Sequence, residues 1–145
     1  MKTKTWDKLA KRLLLAILLM PALLISGAVL KFFWDGMALE RFYRDRPILQ
    51  AMRLARDNPP SVDSAAAAAA LLQHVPAGTD ASTAIARLSG EGFDCGEQPP
   101  SWGGYVQCGT RASGPWGWTS WTVDLQFDAA ARLTGAKVTQ WNMSL

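Results

Sequence analysis

Two cysteines, Cys95 and Cys108, form the pair whose residue type and spacing most directly imply chemistry. In an oxidising compartment such a pair reads as a disulfide; in the cytoplasm it would read as two buried free thiols. A bridge closing a loop of this size would stabilise the fold by roughly 3 kcal/mol in the chain-entropy view. Zinc is disfavoured, because the chain holds a single histidine, His74, and no second cysteine pair. His74 is also the only imidazole base, and none of Ser101, Ser113 and Ser120 lies in a G-x-S-x-G context. The acidic residues Glu91, Asp94 and Glu97 gather around Cys95. They could hold Ca²⁺, work as an acid and base pair, or simply form a solvated loop. Gly103-Gly104 and Gly114-x-x-Gly117 lack the lysine and helix of a phosphate loop. The expectation is a non-enzymatic protein with no catalytic residue, no metal and no cofactor.

Tryptophan supplies the other constellation. Trp102, Trp116 and Trp118 lie in Gly/Pro-rich stretches, where an aromatic face can stack on a partner side chain, a peptide or a sugar. The same three could instead close the ends of a small core that needs bulk. They are the candidate contact residues, for a protein partner or, alternatively, for a glycan such as peptidoglycan.

The elements that position these residues begin with residues 13–30, LLLAILLMPALLISGAVL, which contain no charge. At 1.5 Å per residue this stretch would rise about 27 Å, near the thickness of a bilayer core. Phe32, Phe33 and Trp34 follow as an interfacial belt, and Pro21 could kink the helix. The expectation is a transmembrane helix over 13–34. A cleaved signal peptide ending near Ser26-Gly27-Ala28 is the competing reading. The first twelve residues carry Lys2, Lys4, Lys8, Lys11 and Arg12 against Asp7, while the whole chain is only +3. The remainder is therefore close to neutral, which argues against a nucleic-acid partner. The basic tail points to a cytoplasmic N-terminus, although Lys31, Arg41, Arg44, Arg46 and Arg53 nearly balance it on the far flank. The expected partner is a lipid bilayer, and the expected place is the inner membrane with the C-terminal domain in the periplasm.

Residues 35–60 read as a basic, amphipathic juxtamembrane helix broken near Asp45-Arg46-Pro47 and stopped by Asn58-Pro59-Pro60. A domain of residues 61–145 follows, after the tail 1–12, the helix 13–34 and the linker 35–60. Ser61 or Asp63 could cap a helix through six alanines, 65–70, to about Gln73. Thr79 or Asp80 could cap a second helix whose buried face is Ala81, Ala84, Ile85 and Leu88, ended by Gly90 and Gly92. Phe93 leads into a strand at Cys95, and 105–108 reads as a short strand between loops 97–104 and 109–117. Trp121, Val123, Leu125 and Phe127 alternate with Ser120, Thr122, Asp124 and Gln126, the pattern of a half-buried strand. Residues 128–132 turn into a last strand, 133–141, with Gly135 a candidate bulge. The expected fold class is α+β, two helices covering a three- or four-stranded antiparallel sheet behind the transmembrane helix.

The series Val75-Pro76-x-Gly78-Thr79, Ala84, Leu88, Gly92-Phe93, Cys95, Cys108, strand 121–127, Asp128 and Arg132-Leu133 resembles small bacterial envelope domains of the SmpA/OmlA (BamE-like) type. The resemblance covers about residues 75–141. It implies an ααβββ fold and a role in envelope assembly through protein contact. Those proteins carry a lipidated N-terminal cysteine, which this chain lacks. That difference favours the inner over the outer membrane. A small accessory subunit of a larger membrane complex is a further reading.

Overall fold

The computed structural model describes residues 3–55, 63–96 and 104–144. It divides into two compact units between Met37 and Ala38. Helix α1, Thr3–Arg44, makes up the described part of the first unit and continues into the second. Large apolar side chains stand exposed along it, among them Met20, Leu24, Leu30, Phe33 and Trp34. The expected transmembrane helix over 13–34 is nevertheless corrected: among the described residues, no helix is long and apolar enough to cross a membrane. Charge closes the apolar stretch after Leu30: Lys31 pairs with Asp35 at 2.6 Å.

The second unit is an α+β domain. Helices α2 (Pro47–Ala55), α3 (Ala65–His74) and α4 (Ala81–Gly90) precede strands β1 (Asp94–Cys95), β2 (Gly104–Gly114), β3 (Gly117–Phe127) and β4 (Leu133–Ser144). The strands form one antiparallel sheet in the order β1-β2-β3-β4. Val106, Cys108 and Ala112 of β2, Trp121, Val123, Leu125 and Phe127 of β3, and Val138 of β4 are buried. Against them lie Ile48, Leu49 and Met52 of α2, Ala67 and Leu71 of α3, and Ala84 and Leu88 of α4 in the same apolar cluster. The helical spacings i, i+3, i+4 and the strand spacing i, i+2 thus meet in one core.

Four features depart from the sequence expectations. In the described part of the stretch read as a linker, 35–60, Tyr43, Ile48, Leu49 and Met52 lie in the domain core, and α2 packs against α3. Helix α2 begins at Pro47, whose missing N–H is no loss in a first turn. The cap of α3 is Ser64, whose Oγ accepts from Ala67 N at 3.1 Å. Asp63 instead pairs with Lys137 at 3.1 Å and accepts from Thr139 Oγ1 at 3.1 Å. Ser61 and the Asn58-Pro59-Pro60 stop lie outside the described residues. The alanine stretch is ordered helix, with Ala67 and Ala70 buried.

The third departure is the loop expected over 109–117. Strand β2 continues to Gly114, and Gly114 pairs with Gly117 across the two-residue turn Pro115-Trp116. Gly117 has φ 139°, in the region that favours glycine. The fourth is the bulge, which falls where Gln126 pairs with Gly135 and Phe127 with Leu133, leaving Thr134 as the extra residue.

Candidate functional site: the tip of the β2–β3 hairpin

The β2–β3 hairpin carries Trp116 in its turn and Trp118 at the start of β3. Its eleven-residue strands would extend about 35 Å at 3.2–3.4 Å per residue, against about 15 Å for the nine- or ten-residue helices. At the tip a cavity of about 240 Å³ opens, lined by Leu39, Pro115, Trp116, Trp118, Asn142 and Met143 among others. Trp116 is 69% exposed and Met143 is 56% exposed. Trp118 is half-buried, with the Arg111 guanidinium 4.3 Å from its ring. Leu39 lies over Gly114, where an added Cβ would meet its Cδ2 at 3.1 Å. Thr119 Oγ1 and Gln140 Nε2 both donate to Asn142 Oδ1, at 2.9 and 3.1 Å, fixing the polar floor of the tip.

Trp116 and Trp118 are thus brought to one apolar hollow. The third candidate, Trp102, lies outside the described residues. Leu39, Arg111, Asn142 and Met143 were not foreseen. Their roles follow only from the hairpin register, which pairs Ser113 with Trp118 and Trp118 with Met143. The Pro115-Trp116 dipeptide between two glycines was the available signal for a tight turn.

A second, shallower hollow of about 520 Å³ lies on the sheet face away from the helices. Its floor is Gly109, and its rim includes Asp94, Gln107, Arg111, Ser120 and Thr122. Gln107 Nε2 donates to Asp124 Oδ1 at 2.9 Å beside it.

Cys95 and Cys108 form a disulfide, with Cα atoms 4.0 Å apart, between directly opposed residues of β1 and β2. Gly96 N donates to Gln107 O at 3.0 Å, which makes Cys95 and Cys108 a non-hydrogen-bonded pair, the more closely spaced kind. The acidic group around Cys95 disperses. Glu91 accepts from the backbone N–H groups of Ile48 at 2.9 Å and Leu49 at 3.1 Å, capping α2, while Asp94 faces the outer hollow. Glu97 lies outside the described residues. Among the described residues no cluster of three or more His, Cys, Asp or Glu could hold a metal ion. His74 is an exposed helix end whose carbonyl accepts from Arg87 Nη1 at 2.6 Å. Ser113 and Ser120 alternate with the buried positions of their strands and so lie on the outer face. Ser101 and Gly103 lie outside the described residues.

Comparison of the chain with protein-family models, with curated proteins and with solved structures finds no match.

Proposed function

We propose that this chain is a non-enzymatic, membrane-associated protein of the bacterial envelope, whose α+β domain faces the periplasmic side of the inner membrane and contacts another envelope protein. The observation that carries this reading is the hairpin tip. Trp116, Trp118, Leu39 and Met143 all border one hollow at the end of the sheet, and aromatic anchors around a pocket are the usual centre of a protein interface. Two further features support it. The Cys95–Cys108 disulfide belongs to an oxidising compartment. The exposed apolar side chains of α1 need cover from lipid or protein.

The test is copurification from membranes in mild detergent, comparing the natural chain with a Trp116→Ala/Trp118→Ala variant. A partner recovered reproducibly with the first and lost with the second, while the disulfide and circular dichroism are unchanged, supports the reading. Recovery of no reproducible partner with the natural chain overturns it. If the natural chain instead sediments with purified peptidoglycan and the double variant does not, the tryptophans serve a glycan.

A further inference from the structure

Strand β1 covers only part of β2. It pairs at Asp94 with Gly109 and at Cys95 with Cys108, and among the described residues no strand pairs with β2 on that side from Thr110 to Gly114. The bond from Gly96 N to Gln107 O sets which backbone groups look outward. In an antiparallel ladder this alternates, so Gln107, Gly109, Arg111 and Ser113 direct their N–H and C=O groups to the edge, while Thr110 and Ala112 bond to β3. Asp94 meets Gly109. Arg111 and Ser113 are both exposed and have no backbone partner there among the described residues. Edges of this kind are usually blunted by a charge. Here the Arg111 guanidinium is drawn back over the Trp118 ring, at 4.3 Å, onto the outer face and away from the edge.

The two hollows flank this same stretch. The apolar one reaches Leu39, Ala112 and Gly114 on the helix side, and the polar one reaches Asp94, Gly109 and Arg111 on the outer side. A strand laid along the edge would send alternate side chains to the two faces. Backbone groups would supply affinity, and the two hollows would supply selectivity.

We infer that the edge of β2 over residues 111–114, past Thr110, whose Oγ1 donates to Gly92 O at 3.0 Å, is a docking strand, and that its occupant is an extended segment of the partner protein. That segment adds to the sheet beyond β1, with an apolar side chain in the hollow by Leu39 and a polar or acidic one beside Arg111. The inference rests on the protein-contact reading and specifies how the contact is made.

The test places the photoreactive residue benzoylphenylalanine, in the full chain and in intact membranes, at position 111, 113 or 116 in turn. Crosslinked peptides are mapped by mass spectrometry. The expected result is adducts from 111 and 113 on one partner segment, with the attachment point displaced by two residues between the two probes. Ser113→Pro removes an outward N–H and no bond to β3, so it should lower the yield from position 111 at least tenfold, while Ser113→Ala leaves it unchanged. Undiminished yield in a folded Ser113→Pro chain overturns the inference. The two-residue displacement is read without the proline, so it decides the matter if that variant does not fold. Adducts from 116 with none from 111 or 113 overturn the docking strand and leave the protein-contact reading standing. Adducts from none of the three overturn both.

Discussion

The indole Nε1 of Trp121 donates to the Tyr43 hydroxyl at 3.2 Å inside the core, joining the last turns of α1 to the central strand β3. Trp121 is fully buried and Tyr43 is 4% exposed, so neither group has water as an alternative partner. The Tyr43 ring is itself flanked by the Arg53 guanidinium, 4.4 Å from its centroid, and Arg53 pairs with Glu40 at 2.9 Å. Tyr43→Phe keeps the ring and leaves the Trp121 N–H buried without an acceptor. The expected loss is about 1–3 kcal/mol. Urea unfolding monitored by tryptophan fluorescence measures it, with an unchanged denaturant slope showing that the fold is retained. An unchanged midpoint would mean that the core relaxes to supply another acceptor.

Glu91 ties the end of α4 to the start of α2 from 43 residues away in sequence. Its two carboxylate oxygens take the N–H groups of Ile48 and Leu49, and Arg46 Nε donates to its carbonyl oxygen. This is a helix N-cap supplied by another element, and it also sets a negative charge against the positive helix end. Glu91→Ala is expected to cost about 1–2 kcal/mol, the range of a lost cap. Glu91→Gln, which keeps an acceptor, should recover part of that. Chemical denaturation of the three proteins checks the order, and equal stability of Glu91→Ala and the natural chain would refute it.

Much of the domain was legible because its patterns are local. The alternation from Trp121 to Phe127 and the spacing of Ala81, Ala84 and Leu88 each need only one element to be read. The hairpin tip was not, because Gly109 and Gly114 in β2 look like loop residues until Thr122 and Gly117 are placed opposite them. Ser64 takes the cap expected of Ser61 or Asp63 for a similar reason: Ser64 and Asp63 can both cap a helix, and only the pairing of Asp63 with Thr139 and Lys137 of β4 decides between them. Glu91 illustrates the general case. Its neighbours in sequence, Asp94 and Glu97, suggested a cation, and the groups that it serves lie in a helix that sequence spacing does not bring near. For the candidate site, Trp116 and Trp118 were visible as residue types, while Leu39, Arg111 and Met143 become neighbours only through tertiary packing and register.

Cys95 and Cys108 close a loop with a sequence separation of 13. Their bridge fastens the two-residue strand β1 to β2. Reduction, or the Cys95→Ala/Cys108→Ala variant, is expected to lower stability by roughly 3 kcal/mol. The fold should survive as a weaker version of itself, because Cys108 sits in a core formed by three long strands and four helices. Thermal unfolding with and without reductant measures the difference. Thiol labelling of the unreduced, denatured protein should modify neither cysteine, and full labelling of both would remove the argument for an oxidising compartment.

Acid should loosen the domain through Asp63 and Asp80. The Lys137 ammonium and the Thr139 hydroxyl donate to the Asp63 carboxylate and hold its pKa below the ordinary value of 3.8. The Ser82 hydroxyl does the same for Asp80 at the start of α4, with help from backbone N–H groups. In each case the folded-state pKa lies below the unfolded one, so the folded chain binds fewer protons. The associated stability is fully present above the unfolded value and is lost as pH falls through the folded value. Both carboxylates are solvent-exposed, so each effect is small and weakened by salt. The melting temperature is therefore expected to be level from pH 7 to about pH 5 and to fall below about pH 4, the region where unfolded aspartates titrate. Asp63→Asn should reduce that acid-side fall, since its melting temperature is already lowered at neutral pH. A parallel curve for the natural chain and Asp63→Asn would show that the attachment of Asp63 to β4 contributes nothing to the acid response.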